Sequence, residues 1–141
     1  MKDAYNTAFY EIVKETQQTS GYELPHHVEA YIVMLLGSYV GRDDFPPEST
    51  FTETFFSIKT SRQAKELGDT CLFVSGVFPE YKKRFGISRR FYQDIGSTSY
   101  EIATELNAEL FPILANHFVF LSEFISITIN SSKDVQNNLF R

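Results

Sequence analysis

The sequence predicts an all-α fold, a helical bundle of five to seven helices forming one domain over residues 1–141, with residues 130–141 as a polar tail. Three observations lead there. Apolar residues recur at i, i+3, i+4 and i+7 along most of the chain, the period of a helix with one buried face. Clusters of Pro, Gly, Ser and Asp punctuate those runs. Only Phe124 to Ile129 alternates with the period of a strand, and its β-branched residues leave open where the last helix ends.

The first helix is expected from Asp3, as N-cap, to Gln18, with Tyr5, Ala8, Phe9, Ile12, Val13 and Thr16 on one face and Thr19-Ser20-Gly21 as the stop. Pro25 opens the second, whose stripe of Val28, Tyr31, Ile32, Leu35, Leu36, Tyr39 and Val40 ends at Gly41. Arg42 to Ser49 contains Pro46-Pro47 and reads as a loop. A third helical region covers Thr52 to Val77, with Phe55, Ile58, Ala64, Leu67, Cys71 and Val74 near one stripe. Gly68-Asp69 is the place where it divides, Asp69 capping the second part. A short basic helix over Glu80–Phe85 and Gly86 follow, and Ser88 caps a fourth helix running to Leu110. That helix shows Phe91, Ile95, Ser99, Ile102, Leu106 and Leu110 on its apolar face. The fifth helix, Pro112 to Ile129, is apolar nearly all round, as a central or partner-covered helix is.

Composition narrows the function classes. The chain has 43% apolar and 22% charged residues, which is globular rather than disordered composition. Fourteen Phe and eight Tyr, with no Trp, make rings the main source of apolar area. Cys71 is the single cysteine, so no internal disulfide forms, and a buried, inert thiol in a reducing compartment is expected. The first residues lack a signal-peptide pattern and no apolar tract has bilayer length, which points to the cytoplasm and away from the membrane. A net charge of −5 gives the whole chain no attraction for polyanions.

Catalytic and metal signatures are missing from the sequence pattern. His26 and Glu29 share a helix face and His117 could add a third ligand, but solvated His26 and His27 and a hydrogen-bonded core His117 are the simpler expectation, with no cofactor or metal. Glu101, Glu105 and Glu109 have the spacing of a solvated face. No nucleophile elbow or phosphate-binding glycine loop occurs.

Residues 81–95 stand out from the acidic average. Lys82, Lys83, Arg84, Arg89 and Arg90 place five of 13 basic residues within nine positions. A basic helix, a Gly86-Ile87-Ser88 turn and a second helix rich in Arg resemble a helix-turn-helix, in which Arg89 and Arg90 would approach bases or phosphates and Lys82, Lys83 and Arg84 the backbone. Lys82 stands where that motif wants a small residue, Pro79 shortens its first helix, and Tyr92 is bulky for its slot.

Three stretches, Val28 to Leu36, Gly68-Asp69-Thr70-Cys71-Leu72-Phe73-Val74-Ser75-Gly76-Val77-Phe78, and Phe91-Tyr92-Gln93-Asp94-Ile95-Gly96-Ser97-Thr98-Ser99-Tyr100, resemble a set of small bacterial proteins of unknown function. Their pattern runs Gly-Asp-x-x-Leu-Phe-x-x-Gly-Phe-Phe and then Tyr-Tyr-x-x-x-Gly-x-x-x-Tyr. This chain departs from it with Val77 for a Phe and Phe91 for the first Tyr. The resemblance covers about residues 28–100 and implies a cytoplasmic bacterial protein without implying a reaction. It singles out Gly68, Asp69, Phe73, Gly76, Phe78, Tyr92, Gly96 and Tyr100 as a structural or binding cluster. The leading expectation is a non-enzymatic interaction module, a homo-oligomer or a subunit with a protein partner, because the helices carry more apolar surface than one core covers. A DNA-binding regulator using residues 81–95 is the second reading. A ligand-binding protein or enzyme with an aromatic pocket near Tyr92 and Tyr100 is the third.

Overall fold

The computed structural model describes residues 2–39, residue 42, residues 48–77 and residues 89–131. The fold is all-α: seven helices and a 3-10 turn account for 84% of the described residues, with no strand among them. In chain order these are α1 (Lys2–Ser20), α2 (His26–Ser38), α3 (Glu48–Phe56), α4 (Ser61–Val77), α5 (Arg89–Ile102), the 3-10 turn Ala103–Leu106, α6 (Phe111–Asn116) and α7 (Phe118–Asn130). The expected basic helix at 80–85, Gly86, the Ser88 cap, the Pro46-Pro47 loop segment, Gly41 and the tail beyond Ser131 lie outside the described residues. The chain groups into two compact units, Met1–Asp44 with Phe124–Arg141, and Phe45–Glu123.

In the first unit α1 packs on α2. Phe9, Val13 and Thr16 are buried on α1, and Val28, Tyr31, Ile32, Leu35 and Leu36 on α2. Helix α1 begins at Lys2, so Asp3 lies inside it rather than capping it. It stops where the sequence predicts: Gly21 takes a φ of 79°, and its N–H donates to the Gln17 carbonyl at 3.1 Å. Residues 124–129 are helical, not extended. Their alternation is overridden by the burial of Phe124, Ile125, Thr128 and Ile129, a helical spacing, and the Thr128 hydroxyl donates back to the Phe124 carbonyl.

The second unit is organised around α4 and α5. The third helical region divides at Ser57–Thr60, not at Gly68-Asp69, because a capping box starts α4 there. The Gln63 N–H donates to the Thr60 hydroxyl at 3.1 Å, and the Gln63 side-chain oxygen accepts from the Thr60 and Lys59 N–H groups at 3.2 and 2.8 Å. Helix α4 then runs unbroken through Gly68 and Asp69.

Helix α5 ends at Ile102, short of Leu110. After the 3-10 turn, Asn107 adopts extended backbone and its side-chain oxygen accepts from the N–H groups of Glu109 and Leu110 at 3.0 and 3.2 Å. The buried face of α5 is Tyr92, Gly96, Ser99 and Tyr100, so of the expected stripe the core takes Ser99 and, beyond α5, Leu110. The expected fifth helix is two, α6 and α7, interrupted at His117.

Gly96 belongs on that face because nothing larger fits. A Cβ there would lie 2.8 Å from the Cys71 Cβ and would overlap the edge of the Phe118 ring. Replacing Gly96 with Ala is therefore expected to lower the unfolding free energy by about 1–3 kcal/mol, despite the better helix propensity of Ala. Urea unfolding checks this, and an unchanged or raised midpoint contradicts the close crossing.

Candidate functional site

The resemblance cluster converges at the α4–α5 crossing. On α4, Gly68, Asp69, Phe73 and Gly76 are buried, as are Tyr92, Gly96 and Tyr100 on α5, while Phe78 lies outside the described residues. A Cβ at Gly68 would sit 2.6 Å from the Tyr100 ring, so the missing side chain is what seats that ring on the α4 backbone. The ring is flanked by Phe111 and Phe118, each 5.7 Å away between centroids. Its hydroxyl donates to Asp69 Oδ1 at 2.7 Å, and Lys65 Nζ lies 2.9 Å from Asp69 Oδ2.

Asp69 is thus a buried carboxylate, 6% exposed, and not a helix cap. Taking a carboxylate from water costs several kcal/mol unless partners replace the lost hydrogen bonds. Here a cation one turn earlier on the same helix and a phenol from the neighbouring helix do so. Tyr100 is fully buried and Tyr92 nearly so, the latter edge-on to Phe51 and Phe91 at 5.1 and 5.2 Å. Cys71 beside them is buried, and that burial pushes its thiol well above its ordinary pKa, which keeps it protonated.

A second polar locus lies in the first unit. Glu29, 5% exposed on α2, accepts from the Gln17 side-chain amide and pairs with Lys14 Nζ at 3.1 Å. Gln17 uses its oxygen to accept from the Leu24 N–H at 2.7 Å, tying the α1–α2 connection to the pair. Burial is the largest single influence on Glu29 and opposes its ionisation. The Gln17 and Lys14 contacts together outweigh it and hold the carboxyl below its ordinary value. Lys14 is correspondingly raised, chiefly by its hydrogen bond to Glu29.

The remaining sequence candidates are dispersed. His26 and His27 are exposed at the start of α2. His117 is exposed as well, not core, because the break between α6 and α7 turns it outward. Among the described residues no group of three or more His, Cys, Asp or Glu could hold a metal ion, and no helix is long and apolar enough to cross a membrane. Arg89 is half-buried and Arg90 exposed, its Nε 3.8 Å from Asp94. Lys82, Lys83 and Arg84 lie outside the described residues.

One surface groove escaped the sequence reading. A groove of about 490 Å³ is walled on one side by Phe55, Phe56, Ile58, Lys59, Thr60 and Ser61, and on the other by Ile102 and Glu105. Phe56 is 80% exposed. Ile102 and Leu106, expected on a buried stripe, are 43% and 47% exposed: Ile102 lies off the face of α5 that Tyr92, Gly96, Ser99 and Tyr100 bury, and Leu106 lies beyond the end of α5. The Ser61 hydroxyl donates to Glu105 across the groove.

The chain matches no protein-family model, no curated protein and no solved structure.

Two outcomes follow from the buried carboxylates. Tyr100→Phe strips one donor from Asp69 and is expected to cost about 1–3 kcal/mol of stability, read by urea unfolding. An effect below a few tenths would show that Asp69 does not depend on the phenol.

Because Glu29 is lowered in the folded state, its contribution is complete above its ordinary value of 4.5 and disappears as pH falls through the lower folded-state value. The stability gap between the wild-type chain and Glu29→Gln should therefore be full near neutrality and shrink in acid. A gap independent of pH contradicts the pairing.

Proposed function

We propose that this chain is a non-enzymatic interaction module whose contact surface is the groove around Phe56. The exposure of Phe56 carries this reading. An aromatic side chain left in water beside further exposed apolar groups is characteristic of a surface that a protein partner covers, and aromatic anchors in a groove dominate such contacts. Phe55, Ile58 and Ile102 supply the apolar floor, and Lys59 and Glu105 a polar rim.

The buried polar groups support the same reading. Asp69 is engaged by Lys65 and Tyr100, and Glu29 by Lys14 and Gln17, each holding parts of the chain together. A bacterial, cytoplasmic setting belongs to the proposal, supported by the resemblance over residues 28–100 and by the single cysteine.

A photo-cross-linking phenylalanine analogue at position 56 of the full chain, activated in living cells, tests the reading. Discrete adducts are expected at 56 and not at exposed Glu15 on α1. Equal labelling at both positions, or none at 56, would remove the groove as a contact surface.

A further inference from the structure

We infer that the partner seated on the Phe56 groove is a second copy of this chain, paired about a two-fold axis. This rests on the groove being a contact surface, and goes on to say what covers it.

The charge arrangement points to self-pairing. A two-fold contact places one patch against itself, so the patch must be complementary to its own rotated image. A surface of one charge sign fails that condition, because like charges meet at close range. Here the two charged residues lining the groove have opposite signs and stand on opposite walls: Lys59 on the α3–α4 linker, Glu105 on the 3-10 turn. Arg62 in the first turn of α4 and Glu101 in the last turn of α5 are exposed as well. Rotating one copy by half a turn brings Lys59 against the other copy's Glu105 twice, once on each side of the axis. The same operation lays each Phe56 over the apolar floor of its counterpart.

Another groove among the described residues differs in this respect. It lies between α1 and α2, lined by Asn6, Thr7, Tyr10, Glu29, Ala30, Val33 and Met34. Its one charged residue, Glu29, is already neutralised by Lys14, so it has no pair of opposed walls. The Phe56 groove has such a pair in Lys59 and Glu105. Its apolar floor is small beside the roughly 800 Å² per partner of a standard stable interface, as in weak, reversible contacts.

Sedimentation velocity on the full chain from about 1 to 200 µM, at low and high salt, reads the dimer directly. A reversible dimer is expected, weakened by salt because its charged pairs lie at the rim. Phe56→Ser, at an exposed position, should leave the circular dichroism spectrum unchanged and abolish the dimer. Lys59→Glu and Glu105→Lys should each weaken self-association about tenfold, since each turns both cross-axis pairs repulsive.

An equimolar mixture of those two charge variants should restore dimerisation to near the wild-type level. In the mixed dimer Glu at 59 faces Lys at 105 and native Lys59 faces native Glu105. A fold defect in either variant cannot produce that recovery. Failure of the mixture to recover, or dimers indifferent to both reversals, overturns the pairing.

A wild-type chain that stays monomeric throughout also overturns it. If position 56 then cross-links to a different protein, the groove remains a contact surface with another occupant. If it cross-links to nothing, both readings fall.

Discussion

The phenol of Tyr100, lying on Gly68 and bonded to Asp69, is the contact on which the second unit depends. A tyrosine ring can lie flat on a helix only where that helix lacks a side chain, and its hydroxyl can be buried only where an acceptor waits. Adjacent positions on α4 supply both. The acceptor is itself a carboxylate in the core and needs Lys65 as well as the phenol. Removing any member leaves a void or an unpaired polar group, so the contact acts as one unit rather than as separable interactions.

The same crossing is closed by a second seat. Gly96 on α5 admits Cys71 from α4 and the Phe118 ring. Gly68 faces Tyr100 while Cys71 faces Gly96, so positions ascend on α4 as they descend on α5, and the two helices run antiparallel. That direction brings the start of α4 to the end of α5, where the Ser61 hydroxyl meets Glu105. The groove around Phe56 forms at this end. It exists because both helices stop there: the capping box at Thr60 delays α4, and Asn107 draws the chain out of helical geometry soon after α5. The groove and the Tyr100 contact thus lie towards the same end of one helix pair.

Polar chemistry in this chain is spent on cohesion. Glu29 joins α1, α2 and their connection through Lys14 and Gln17, as Asp69 joins α4 and α5. Both carboxylates sit on helices whose remaining buried positions are almost wholly apolar, where a polar group fixes which neighbouring residue must lie opposite. The apolar groups left over, Phe56 foremost, are the ones available to a partner.

The all-α class and the places of α1, α2 and the main body of α4 were legible in the sequence, because helix formation follows a local repeat and local start and stop signals such as Pro25 and Gly21. The cluster of Gly68, Asp69, Gly96 and Tyr100 was legible as a group of special residues. Its arrangement was not, since a glycine and an aspartate in a helical run read equally well as a break and a cap. Only the neighbouring helix decides otherwise, by placing a ring over one and a hydroxyl on the other. The ends of α5 and α6, the outward turn of His117 and the exposure of Phe56, Ile102 and Leu106 were likewise tertiary outcomes. Periodicity states that a helix has an apolar face, whereas the burial of that face depends on what packs against it from elsewhere in the chain.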